Sequence, residues 1–300
     1  EYWFITHLQA QGFGGLEHKN STILQASRFD LPNPQQTHAD MSDNYKTFLS
    51  LCSHEYFHAW NVCRIKPKEF VPYNLQKESY TKQLWAFEGI TSYYDDFSLY
   101  RTGLIDFEAY LAILAKTATR VFRGAGELKQ SITASSFDAW TKFYQQGPDA
   151  VNNIVSYYAK GALIALWLDL TIRSKSNHQY SLDTLMRELW IHFGRTNTGT
   201  TEDDFINIAN LLCGEDISTT FKRHLDSNER IDISKELAEY GVELQKQKFK
   251  KLNSLETTPA TCYHAYLGAH YKAQTLGLVI NQVLENSPAA NAGLAVNDTL

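Results

Sequence analysis

Two histidines four residues apart, with a glutamate directly after the first, are the residues of this chain best suited to chemistry: His54-Glu55-Tyr56-Phe57-His58. On a helix of about 3.6 residues per turn the imidazoles stand roughly 40° apart on one face, close enough to share one tetrahedral Zn²⁺. Glu55 then lies beside the metal without ligating it, placed to take a proton from a water that the metal acidifies. The same pentapeptide also arises by chance on amphipathic surface helices. A working site therefore needs a third ligand, a transition-state donor and a substrate anchor.

A catalytic zinc takes three protein ligands and leaves one position open, so a further His, Glu or Asp is expected from a separate element. Glu88, within Trp85-Ala86-Phe87-Glu88-Gly89-Ile90, is the candidate, because a carboxylate in an apolar helical stretch is costly to bury unless paired or metal-bound. Spacing alone also permits a partly exposed Glu88 on the polar side of its helix. Asp95 follows by seven residues, roughly two turns, and shares that face. It is placed either to hold the free ring N–H of a zinc histidine or to lie solvated beside Asp96. The other histidines fall in no ligand spacing and read as surface or core residues.

These side chains need elements to position them. Asp40, Ser42 or Asp43 can cap a helix running through Phe48, Leu51 and the histidine pair to about Val62. Pro67 and Pro72 impose a connection, and a second helix is expected over about 79–100 with Gly103 as its stop. Upstream, strands are expected over 2–8 and through Ser21–Leu24, with Gly12-Phe13-Gly14-Gly15 as the loop between them. Apolar spacing near 3.6 predicts further helices at about 106–122, 150–174, 181–193, 201–213 and 217–225. Beyond 230 the chain turns Lys/Gln-rich and then to short β-like pieces at 276–280 and 283–284, with a second small domain expected from about 255.

The bulk numbers narrow the function classes. With 300 residues, 43% hydrophobic and 20% charged, the composition is that of a soluble globular chain. A net charge of −5 and no Lys/Arg run give no footprint for nucleic acid. The longest apolar run, Ala162 to Leu168, is broken by Asp169 and falls far short of the roughly 20 residues of a membrane span. Cys52, Cys63, Cys213 and Cys262 form no CxxC pair, so reduced thiols and a cytoplasmic location are expected, although the opening at Glu1 reads as mid-strand and a targeting segment could have been removed.

The block from His54 to Pro67, together with Trp85-x-x-Glu88-Gly89-x-Thr91-x-Tyr93-Tyr94, resembles the M61 glycyl aminopeptidase family of gluzincin metallopeptidases, thermolysin-like relatives of the M1 aminopeptidases. The resemblance implies one Zn²⁺ held by His54, His58 and Glu88, with Glu55 as general base. Gly14-Gly15-Leu16-Glu17-His18 is similar to the GxMEN-type motif of M1 enzymes. It implies that Glu17 binds the substrate's free α-amine while the strand at Gly14 and Gly15 pairs with the peptide. The departure at His18-Lys19-Asn20, in place of an immediate Asn, bears on the geometry of that pocket. Tyr158-Ala159-Lys160-Gly161 resembles the YxKG segment whose Tyr stabilises the oxyanion. A phenol suits that task because it donates while neutral. Only the resemblance prefers Tyr158 over the adjacent Tyr157.

Leu276 to Leu300, with Ser287-Pro288-Ala289-x-x-Ala292-Gly293-Leu294, resembles the first part of a PDZ domain, a module that accepts peptides by strand addition. The expected architecture is thus α+β: a thermolysin-like catalytic domain over 1–250, mostly helical in its C-terminal part, and a partial PDZ-like β segment over 255–300. The expected activity is a zinc aminopeptidase acting on peptides with a free N-terminus. Family resemblance implies a preference for Gly or Ala. Two rival readings are a peptide-binding PDZ scaffold with a structural zinc, and an endopeptidase. The metal's identity beyond a divalent ion is inferred, since affinity order alone does not select zinc.

Overall fold

The computed structural model describes residues 1–32, 41–246, 266–275 and 277–300. The chain opens with a three-stranded sheet of order β1-β3-β2, formed by β1 (Trp3–Gln9), β2 (Gly14–Glu17) and β3 (Ser21–Ser27). β1 runs parallel to β3 and β2 antiparallel to it, which leaves β2 on an edge. The expected glycine loop is therefore partly strand: Gly14 and Gly15 pair with Gln25 and Leu24. Side chains alternate across a pleated strand, and Thr22, Leu24 and Ala26 of β3 are buried. Gly15 and Glu17, their register partners on β2, share that inner face.

Helix α1 (Asp43–Phe57) packs against this inner face. Of the proposed caps, Ser42 serves, its Oγ accepting the Tyr45 N–H. The helix ends at His58 rather than near Val62, because the backbone then closes in tighter turns, Ala59 to Tyr56 and Trp60 to Phe57. Val62 sits at φ 139°, a conformation costly for a β-branched residue.

The expected helix over 79–100 begins later. It starts at Leu84, winds as a π-helical turn over Trp85–Ile90 and continues as α2 (Thr91–Arg101), while residues 79–83 are non-helical. Gly103, at φ 74°, follows its end as expected. Helix α3 (Phe107–Phe122) and α4 (Ile132–Phe137) come next, the latter without a sequence-based expectation.

The helix expected over 150–174 is two: a short α5 (Ala150–Asn153) and α6 (Ala159–Lys175). Between them Ile154 is extended, the Val155 carbonyl accepts from Ser135 Oγ at 2.6 Å, and Ser156 Oγ takes the Ala159 N–H to restart the helix. Helix α6 is buried almost all round and forms the axis of the core, with Trp85, Phe87, Phe205 and Phe221 among the side chains in the same apolar cluster. Asp169, which breaks its apolar run, is fully engaged. It accepts from Tyr93 Oη at 2.7 Å, Arg173 Nε at 2.9 Å and the Leu182 amide at 2.7 Å.

The remaining helices are α7 (Leu182–Leu189), continued by a π-helical turn over Trp190–Gly194, then α8 (Glu202–Cys213), α9 (Ser218–Asp226) and α10 (Ser234–Glu239). The expected domain start near 255 lies outside the described residues. Beyond it the two expected β pieces form one strand, β5 (Gly277–Val283), paired antiparallel with β4 (Ala269–Gln274) and followed by α11 (Pro288–Asn291). Among the described residues no helix is long and apolar enough to cross a membrane.

Candidate functional site

Helix α1 carries both histidines at its C-terminal end, and the π-helical turn beside it presents Glu88. Glu88 Oε2 lies 3.2 Å from His54 Nε2 and 3.3 Å from His58 Nε2. One ligand atom from each of the three residues lies within 4.8 Å of the others, a spread that a single ion can bridge. The ring nitrogens opposite are fixed. His54 Nδ1 is 3.0 Å from Asp95 Oδ2, and His58 Nδ1 is 2.8 Å from the Asn61 carbonyl. Both partners only accept, so each Nδ1 carries the proton and each Nε2 faces Glu88.

Asp95 sits on α2 one helical stretch beyond Glu88 and reaches His54 from the expected face. Asn61 had no motif to announce it. Its backbone oxygen holds His58, while its side-chain amide donates to the Ala86 carbonyl at 3.0 Å and to Thr91 Oγ1 at 3.1 Å. It thereby fastens the end of α1 to the turn that carries Glu88.

Glu55 is buried at 4% exposure, and its Oε2 has no hydrogen-bond partner among the described residues. Burial pushes its carboxyl up to about 6, against the opposing pull of His58 and His54. A buried acceptor left free beside a three-donor cluster is what a base needs. The cluster itself attracts positive charge. Burial alone would lower the His54 pKa, yet Asp95 and Glu88 overcome it and raise the imidazole to about 10. The same negative potential favours a divalent cation, so the residues fit a metal in their donor types, spacing and charge.

Glu17 joins this centre from the edge strand, with ligand atoms of Glu17, Glu55 and His58 also within 4.8 Å of one another. Gly15 lies behind Glu55: a Cβ there would collide with the Glu55 carboxylate and Cγ. Gly14 borders no side chain that closely. On the opposite wall, the Tyr158 ring is 6.2 Å from the His54 ring, and its hydroxyl is 3.2 Å from that of Tyr144. Tyr157, fully buried and stacked on Tyr158, leaves its own hydroxyl unpartnered among the described residues. A cavity of about 960 Å³ opens from Glu17 and Glu88 past Tyr157.

Two imidazoles and a carboxylate converging beside a second, buried carboxylate have the arrangement that an HExxH metal centre requires. Residues 47–164, which contain all of these except Glu17 and the glycines, match the M61 glycyl aminopeptidase family, and the chain belongs to that family. An aminopeptidase N family protein from Idiomarina loihiensis is 50% identical over 99% of this chain, with a TM-score of 0.93. The chain spans about half of that protein, 51% of its length. An M1 zinc metallopeptidase from Deinococcus radiodurans, bound to a Tyr-Ser-Ala substrate, matches 76% of this chain and 40% of its own at 13% identity and a TM-score of 0.46. No curated protein matches the sequence.

Proposed function

We propose that this chain is the catalytic part of a zinc aminopeptidase, with His54, His58 and Glu88 holding one Zn²⁺. The observation that carries the reading is the convergence of those three donors next to the unpartnered Glu55 carboxylate. Zn²⁺, when bound, supplies Lewis-acid chemistry, polarising a carbonyl and acidifying water. Glu55 removes a proton from the attacking water and returns it to the leaving amine. Tyr158 donates its O–H to the charge that develops on the carbonyl oxygen; burial holds the phenol far above its ordinary pKa, so it remains a neutral donor. Glu17 pairs with the substrate's α-ammonium and so restricts cleavage to the first peptide bond, the edge strand at Gly14 and Gly15 aligning the chain. Asp95 keeps His54 in its ligating tautomer.

The same reading takes residues 1–250 as a thermolysin-like catalytic domain and the segment from 255 as the beginning of a PDZ-type domain able to dock a peptide. In support, β4, β5 and α11 form a compact strand pair with a helix, tied to the helical body where Asn152 Nδ2 donates to the Val283 carbonyl at 2.8 Å.

Glu55→Gln preserves the shape of the site but removes the base. The variant should bind zinc as the parent does and lose glycyl-anilide turnover by about 10²-fold or more. N-acetylated glycyl-anilide should resist the parent enzyme. Undiminished turnover by the variant would refute the assigned base, and hydrolysis of the blocked substrate would refute the amine anchor.

A further inference from the structure

We propose that the cavity between Glu17 and Glu88 receives the side chain of the substrate's first residue and selects a large apolar or aromatic one. This rests on the aminopeptidase reading and departs from the Gly or Ala preference that the family resemblance implies.

The geometry runs from the two carboxylates outward. With the α-ammonium at Glu17 and the scissile carbonyl at the His54–His58–Glu88 centre, the α-carbon between them lies beside the cavity, which both glutamates line. Its side chain then projects into about 960 Å³, at the upper end of the roughly 300–1,000 Å³ of pockets that enclose whole small molecules. A glycine would leave nearly all of that space to water.

The walls have the matching chemistry. Tyr73, Phe137, Trp140 and Tyr144 line the space, each about half exposed or more. Large aromatic surface gathered at one concave place marks a ligand groove rather than scattered exposure. The walls are also held. Phe137 packs on Tyr80 with ring centroids 5.1 Å apart, and Trp140 Nε1 donates to the Ser79 carbonyl at 3.4 Å. Preplaced rings favour an incoming ring through offset and edge-on contacts, beyond the gain from its buried area.

Zinc-loaded Glu55→Gln protein titrated calorimetrically with Phe-Ala and Gly-Ala, alongside turnover of Phe- and Gly-anilides by the parent, tests this. Phe-Ala should bind about tenfold more tightly or better, with the same order in kcat/KM. Trp140→Ala should narrow the difference, and Trp140→Phe should retain most of it. Equal binding of the two dipeptides, or a gain that follows Phe in the second position of Gly-Phe, would overturn the proposal. If no anilide were cleaved while the binding difference persisted, the peptidase reading would fall and the cavity assignment would stand. Cleavage without any difference in binding would do the reverse.

Discussion

Glu55 derives its standing from neighbours that are not themselves reactive. Gly15 lets the edge strand lie against the carboxylate, a closeness no residue with a Cβ permits. Gly15→Ala should therefore turn Glu55 out of its position while β2 keeps its pairing with β3. Misplacing a catalytic group by about 1 Å can cost about 10²-fold, so kcat should fall by that order, whereas the urea midpoint should stay near the parent's. A parent-like kcat in a folded Gly15→Ala protein would show that Glu55 does not depend on this contact. At this scale much of the candidate site was legible: His54, Glu55 and His58 have a fixed spacing, Glu88 stood out by its apolar surroundings and the family resemblance, and helical phase allowed Asp95 as one of two readings. Asn61 was not legible, because it holds His58 through a backbone oxygen and a carbonyl leaves no mark in a sequence.

Between elements, the decisive contact is one of absence of side chains. Gly89 on the Glu88 turn and Gly161 on α6 meet backbone to backbone. A Cβ on Gly161 would stand 2.7 Å from Gly89 Cα and 2.8 Å from the Trp85 carbonyl. This closeness brings Glu88 and Tyr158 to one centre from elements some seventy residues apart in sequence. Neither neighbour is a side chain that could swing away, so Gly161→Ala should destabilise the fold by about 1–3 kcal/mol in urea unfolding and also weaken zinc binding. Unchanged stability would mean that α6 and the turn separate freely. Local pattern revealed α3, α8 and α9 nearly to their ends through their apolar period, and the start but not the end of α1 through its Ser42 cap. It merged α5 with α6, since the extended break at Ile154 is stabilised by Ser135 and Gln130 from elsewhere in the chain. It also missed that residues 85–90 wind as a π-helical turn, a local widening that no period-3.6 count can register.

Across the molecule, folding gathers Glu17, Glu55, Glu88 and Asp95 around two imidazoles in a largely buried space. The four carboxylates, drawn from the edge strand, α1, the π-helical turn and α2, repel one another unless positive charge joins them. Separate elements thus share one electrostatic requirement, and a cation that binds only the folded arrangement links them thermodynamically. At free zinc about 1,000 times its Kd, the linkage contributes about 4 kcal/mol. At roughly 2 °C per kcal/mol for a chain of this size, stripping the metal with a chelator should lower Tm by about 8 °C. Zinc added back should restore it, while zinc added to a His54→Ala, His58→Ala protein should leave its Tm unmoved. An apo form verified metal-free by elemental analysis, yet melting with the loaded form, would show that the centre does not couple the sheet, α1 and α2 through a bound ion.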